Sequence, residues 1–580
     1  MVSAAVPGNG DTAVETLPAP LSGLVDRVVR GTRLWPSEKR DVRAELESHF
    51  REGLIELIDQ GLEFEQAVKI LGEEFGDPDL AARLIRRGKK RGRPMIWKVF
   101  VHTLVVTAIG AGGAGGYIGW LYGSKPNPTV DYVEIINAPV EAVPIEDRAW
   151  PVLKDVFLDF QLMPEALKES WKTESGQWQP GHEKWPLIEE WLQANRPLIP
   201  LIDKGANKRT WGFVYGTPES IEYMIERERR LGNEDIAHLT QPRDPMDPAL
   251  LTMMLPSLRD VRGAARFLAM DARDHAARGD FAAAWGSLET AYRLGYLLYD
   301  TQTLIEQLVA AAITNLATQE MRALLYDHRD RLTPDEFAIV LDSSLMSSRP
   351  QELHWNVDGE ILMFMDTVQY LFTDDGQGNG RLIPEQYAKI LGFMEDSSDL
   401  LPDFFGPDAG LLAAVAVHAD RRETVATYEE VWERMYEYLC LPLHDPRRAL
   451  YLEPLEELRS DPIQKQRYGM LFLTLPDLGR ADQLLREGAM NIVGAQTVVQ
   501  LLAYRSDHGR FPASLGELVP TYAPLAVRDV YSGAPPRYFV TDRGDMMLYS
   551  LGRNLRDDGG STEPAEDGSA DILYWPAPRK

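Results

Sequence analysis

The chain has 580 residues, so more than one domain is expected, and its apolar fraction of 44% is that of a globular protein rather than a disordered one. Its net charge of −27 is unevenly spread: residues 1–98 hold 16 basic and 16 acidic side chains, so the whole acidic excess falls on residues 99–580. That excludes nucleic acid as the ligand of the acidic part, because phosphate neutralisation needs clustered Lys and Arg. The single cysteine, Cys440, excludes an intrachain disulfide, so the large acidic part must rely on its core.

Residues 1–20 are rich in Ala, Pro and Gly and are expected to be disordered. Residues 21–90 read as a helical module. Leu24, Val25, Val28 and Val29 recur at three and four; Val42, Leu46, Phe50, Leu54 and Leu57 form a second stripe; Phe64, Ala67, Val68, Leu71 and Phe75 form a third. The order Leu34-Trp35-Pro36, Glu45-Leu46-Glu47-Ser48-His49-Phe50, Gly61, Ala67 and Phe75-Gly76-Asp77-Pro78 resembles the HAAS or permease-prefix domain of bacterial proteins. The resemblance covers about 65 residues and implies a cytoplasmic sensing or partner-binding module without catalytic residues.

Residues 99–122, from Val99 to Tyr122, contain no Asp, Glu, Lys or Arg. At about 1.5 Å per residue such a helix spans roughly 36 Å, enough to cross a hydrocarbon core of about 30 Å. Basic residues from Arg83 to Lys98 precede it, which predicts a single-pass cell-membrane protein with a cytoplasmic N-terminus and its C-terminal region outside. Residues 1–25 lack the pattern of a secretory signal, so the membrane helix is expected to act as an uncleaved anchor in the lipid bilayer. Gly112 and Gly116, and likewise Gly115 and Gly119, are four apart, a spacing that lets two helices approach closely and predicts a homodimer through this segment.

Residues 123–149 carry Pro126, Pro128, Pro139 and Pro144 and read as a linker with one short strand. Residues 150–477 read as an α-helical outer domain. Six tryptophans fall at 150, 171, 178, 185, 191 and 211, with Glu189 and Glu190 beside Trp191. A tryptophan and carboxylate groove of this kind would suit an envelope enzyme acting on glycans, the alternative to a non-catalytic role. Ala276, Gly279-Asp280, Ala284-Trp285, Leu288 and Ala291 resemble one tetratricopeptide hairpin, without further copies. A helix over 304–326 has a broad apolar surface and is expected at the centre of the core.

Residues 478–580 change character. A helix from about Leu478 to Ser506 leads into Tyr504-Arg505-Ser506-Asp507-His508-Gly509-Arg510-Phe511-Pro512. Alternation in Arg537–Val540 and Met546–Ser550 predicts a hairpin across Asp542-Arg543-Gly544. This order resembles the globular end of the major pseudopilin of type II secretion over about 95 residues. It departs in lacking a prepilin leader directly before a membrane helix, so a reused fold is expected rather than a pilus subunit. In that family an acidic loop holds calcium, and the corresponding positions here are Asn554, Asp557, Asp558, Asp567 and Asp571. Calcium takes six to eight oxygen ligands, which carboxylates and loop carbonyls can supply.

The chain has no His-Glu-x-x-His, no Gly-x-Ser-x-Gly and no phosphate-binding glycine loop. The fold class expected is therefore mainly α: a cytoplasmic helical module, one transmembrane helix, a large α-helical outer domain and a small α+β pseudopilin-like domain. The function expected is that of a non-catalytic interaction or scaffolding protein at the bacterial cell envelope, engaging another envelope protein.

Overall fold

In the computed structural model, described residues are 16–34, 36–88, 123–233, 246–251, 253, 255, 257–350, 355–393, 414–475, 478–524, 527–562 and 570–576. The chain divides into two compact units, Met1–Trp120 and Leu121–Lys580.

In the first unit, α1 (Ala19–Gly31), α2 (Pro36–Asp59) and α3 (Phe64–Glu74) pack around Leu21, Val25, Val29, Val42, Phe50, Leu54, Ala67 and Val68. The 3.6-residue period sets these apolar positions on one side of each helix, and burying them holds the three helices together. Phe50 and Phe75 meet at 4.9 Å between ring centroids. A further helical run covers residues 78–88.

In the second unit, the expected strand within 123–149 is replaced by a helix, α4 (Tyr132–Glu141). Asp131 caps it by accepting from the Glu134 amide at 3.0 Å, satisfying one of the donors a helix start leaves open. Ile136 and Asn137 turn inward, at helical rather than alternating spacing.

The helices that follow build the centre of the unit. They include α5 (Trp150–Asp159), α6 (Trp185–Asn195), α7 (Ile199–Ala206), α8 (Pro218–Arg230), α9 (Ser257–Ala277), α10 (Phe281–Leu297) and α11 (Leu304–His328). The α9–α10 pair is the hairpin read from sequence. Gly279 takes φ +80°, a backbone state that side chains oppose, and Asp280 caps α10 by accepting from Ala283 N. Gly295 of α10 lies against Ile313 and Thr314 of α11, where an added Cβ would stand 2.8 Å from Ile313 Cγ2. The helix α11 is central, packing against α9, α10 and the long helix α13 (Leu478–His508), with the short α12 (Ser344–Ser347) between in sequence.

Three strands form an antiparallel sheet in the order β1 (Arg537–Val540), β2 (Met546–Ser550), β3 (Ile572–Trp575). Arg537 pairs with Tyr549 and Val540 with Met546, which is the hairpin the alternation predicts. The sheet lies on α13, and Trp575 reaches Tyr326 of α11 with ring centroids 5.0 Å apart.

The chain is mainly helical, and one part of the expected fold class is corrected: no helix among the described residues is long and apolar enough to cross a membrane. Length alone does not decide this. The 31 residues of α13 would reach across a bilayer, but Arg480, Asp482, Arg486, Glu487, Arg505 and Asp507 interrupt it. The 25 residues of α11 include Glu306, Glu320, Arg322 and Asp327. The stretch 99–122, with Gly112, Gly115, Gly116 and Gly119, lies outside the described residues.

Candidate anion-binding pocket

Five of the six tryptophans proposed for a glycan groove are core residues, and Trp171 is half-buried. Trp150, Trp178, Trp185, Trp191 and Trp211 are buried. Trp150 packs edge-on against Phe213 and Tyr223, each at 4.9 Å, and the Trp191 indole N–H donates to the Gln161 carbonyl at 2.7 Å. On α6 the inward face is Trp185, Ile188, Trp191 and Leu192. Glu190 is therefore exposed and Glu189 only half-buried. The rings face the interior, where they fill volume, and the two carboxylates do not share that face.

In the described part of the acidic loop, residues 554–562 with Asp571, the side chains take contacts within the chain. Asp571 is buried, and its Oδ2 accepts from the amides of Gly560 at 2.8 Å and Asp558 at 3.1 Å. Burial pushes its carboxyl above the ordinary value, against the pull of those two amides. Asp557 turns instead to the Tyr549 hydroxyl at 2.9 Å and the Arg537 guanidinium at 3.0 Å. The Tyr549 hydrogen bond, then Gly559 N and Arg537, hold its carboxyl below the usual range. Asn554 donates to Asp558 at 3.3 Å, and Arg556 approaches Asp558 at 3.6 Å. Asp567 lies outside the described residues. Among the described residues, no group of three or more His, Cys, Asp or Glu comes together in a way that could hold a metal ion. Of the oxygens expected on calcium, those of Asp557 meet Arg537 and Tyr549, and Asp571 Oδ2 meets two backbone amides.

A different site emerges where the end of α7, the second half of α10 and the α12 turn meet. They line a wide-open surface cavity of about 640 Å³. Lys208 and Arg209 come from the chain leaving α7, Arg293 from α10, and Arg349 from the residues following α12. Four cations thus converge on one cavity of a chain whose net charge is −27. Ser344, Ser347 and Ser348 add hydroxyls. Tyr292, Tyr296 and Leu297 add the apolar wall.

The wall is braced from behind. The Tyr292 hydroxyl donates to Ser348 Oγ at 2.7 Å, and burial raises its pKa well above the ordinary value, so it stays a neutral donor. Ser348 Oγ donates in turn to the Leu345 carbonyl at 2.8 Å. Gln496 of α13 donates to the carbonyls of Leu345 and Ser348 at 2.8 and 2.9 Å. Ser344 N donates to Glu289 Oε1 at 2.7 Å, fixing the start of the α12 turn on α10.

Arg293 is oriented by Asp203 and Glu289, both at 3.5 Å, and donates to Asn207 Oδ1. Lys208 donates to the Glu146 carbonyl at 2.5 Å, which leaves its charge uncompensated by that bond. Burial pushes the Asp300 carboxyl above its ordinary value, against the pull of Arg209. Arg293 is thus fixed with its charge shared by two carboxylates, while Lys208, Arg209 and Arg349 line the cavity beside it, residue types that can receive phosphate or carboxylate oxygens.

No family model, curated protein or solved structure matches this chain.

Sequence reading missed this pocket. Its signals were the Lys208-Arg209 pair and the Ser343-Ser344-Leu345-Met346-Ser347-Ser348-Arg349 run, which lie far apart in the chain and are commonplace by themselves.

Proposed function

We propose that the protein is a non-catalytic interaction protein whose recognition element is this cavity, and that it binds an anionic group. The observation that supports the reading is the convergence of Lys208, Arg209, Arg293 and Arg349 on one cavity within an acidic chain. The surrounding negative field repels anions generally, so a local positive cavity selects those small enough to enter it. The supporting shell argues for holding rather than turnover. Ser348 and Tyr292 are bonded to each other and to the backbone, and no histidine lines the cavity to take a proton from a serine.

The test is isothermal titration of the full chain with inorganic pyrophosphate at low and raised salt. Saturable binding is expected, weakening with salt, and at least tenfold weaker in the Arg209→Ser/Arg349→Ser double variant. Both side chains sit on the exposed rim, so the fold should persist. No saturable binding, or equal binding by the double variant, refutes the reading.

A further inference from the structure

Helix α9 carries Arg259, Arg262, Arg266 and Arg273, and carboxylates of the described residues meet only the first and the last. Arg259 pairs with Glu228 of α8 at 2.8 Å, and Arg273 donates to Glu320 of α11 at 2.9 Å. Arg262 and Arg266 have no ion pair or hydrogen bond among the described residues. We propose that these two arginines, with Trp171 beside them, form a docking surface for an acidic peptide segment of a partner protein. The surface is distinct from the anion cavity, and none of its three residues lines that cavity.

Arg262 and Arg266 are four apart, so their side chains leave one helix face as neighbours, about 5–6 Å apart at Cβ. Arg262 is exposed and Arg266 half-buried. The Arg266 guanidinium lies over the half-buried Trp171, 5.2 Å from the ring centroid. Trp171 is itself set edge-on against the buried Trp178 at 5.7 Å. Stacking on a ring uses the face of a guanidinium and leaves its edge N–H groups to donate to an incoming carboxylate. A donor fork placed in advance loses less freedom on binding.

Burial pulls the Arg266 guanidinium below its ordinary value, and the like charge of Arg262 adds to that pull. At Arg273 burial acts in the same direction, but Glu320 outweighs it. Like charges at a spacing of four repel, and carboxylates brought by a partner relieve that repulsion. In an extended segment, side chains two apart share a face at about 7 Å, close to the spacing of the two arginines, so alternate Glu or Asp residues meet both. The uncovered part of Trp171 adds apolar contact, and tryptophan with arginine is the pairing that dominates binding energy at protein interfaces. The net charge of −27 repels an acidic segment from the rest of the surface and confines it to this patch.

The experiment is fluorescence anisotropy of a capped, fluorescein-labelled pentaglutamate peptide titrated with the full chain. Saturable binding is expected, displaced by unlabelled pentaglutamate and not by inorganic phosphate at the same concentration. Arg262→Gln/Arg266→Gln should bind roughly tenfold more weakly, having lost two charge-assisted contacts. Arg262→Gln alone, at an exposed position, should bind about threefold more weakly. Absence of saturable binding, or equal binding by the double variant, overturns the proposal. Displacement by phosphate as effective as by pentaglutamate overturns it in favour of a lone oxyanion. A dimer in sedimentation that Arg262→Gln abolishes overturns it in favour of a second copy of this chain. The single variant and the phosphate competition decide the matter even if the double variant does not fold.

Discussion

The Tyr215 hydroxyl donates to Glu306 Oε2 at 2.6 Å, inside the second unit, where the Glu306 side chain has no exposed surface. Thr303 Oγ1 donates to the same oxygen at 2.7 Å, while Oε1 has no hydrogen-bond partner. Burial favours the neutral acid and outweighs these two donors, so the carboxyl is pushed up to about 7.

A pH dependence follows from that carboxyl. Its folded pKa lies above the unfolded value, so the folded state binds the extra proton between the two. Stability from this group is full below about pH 4.5 and is lost as pH rises through about 7. The loss is on the order of 3 kcal/mol. Glu306→Gln keeps an acceptor for Tyr215 and Thr303 but cannot ionise. In urea unfolding between pH 4.5 and 8, the stability of the unaltered chain relative to that of Glu306→Gln should fall as pH rises towards about 7. Parallel curves for the two would mean that Glu306 does not titrate in this interval.

A second prediction concerns Asp260, buried on α9 and met by three donors. Arg227 Nε and Nη2 lie at 3.0 and 2.8 Å from Oδ1, and the Tyr223 hydroxyl at 2.5 Å from Oδ2. Arg227→Ala removes the hydrogen-bonded countercharge and leaves the buried carboxylate with only Arg259, at 3.9 Å, beside it. The expected cost is about 3–5 kcal/mol, read as a lower denaturation midpoint. Replacing both partners by apolar residues, Arg227→Met with Asp260→Leu, should cost less than Arg227→Ala alone, because no buried charge is left.

A third prediction tests the seat of the sheet on α13. A Cβ at Gly494 would stand 2.4 Å from Tyr574 Cδ1, in a buried contact where the ring has no room to withdraw. Gly494→Ala should cost roughly 1–3 kcal/mol by overpacking, despite the higher helix propensity of Ala. Tyr574→Leu in the same chain should recover part of it. Additive effects in that double-mutant cycle would show that the two positions do not press on each other.

A fourth prediction isolates the acidic loop. Asp571→Ala strips the acceptor from the amides of Gly560 and Asp558, and should lower stability by about 1–3 kcal/mol. Asp571→Asn keeps an acceptor oxygen and should lose less. Amide exchange at Gly560 and Asp558 is the local readout, and protection there that survives Asp571→Ala would contradict the role assigned to this carboxylate.

Periodicity determined much of the fold by itself. The apolar stripes of α1 to α3, the turn at Gly279-Asp280, the central place of α11 and the pairing of β1 with β2 are all local patterns, and a local pattern states which face must be buried. Where two local preferences compete, tertiary structure decided. The prolines of 123–149 suggested a linker with a strand, but the Asp131 cap and the burial of Ile136 draw residues 132–141 into a helix. Composition suggested a tryptophan groove beside Glu189 and Glu190, but hydrophobic burial takes five of the six rings into the core and leaves the carboxylates toward water. The contacts of the aspartates near 557 are also tertiary: Asp557 meets Arg537 of β1, and Asp571 accepts from the amides of Gly560 and Asp558. The anion pocket was invisible for the complementary reason. Lys208 and Arg349 are 141 positions apart, and only the packing of α10 between α7 and α12 brings their charges to one cavity.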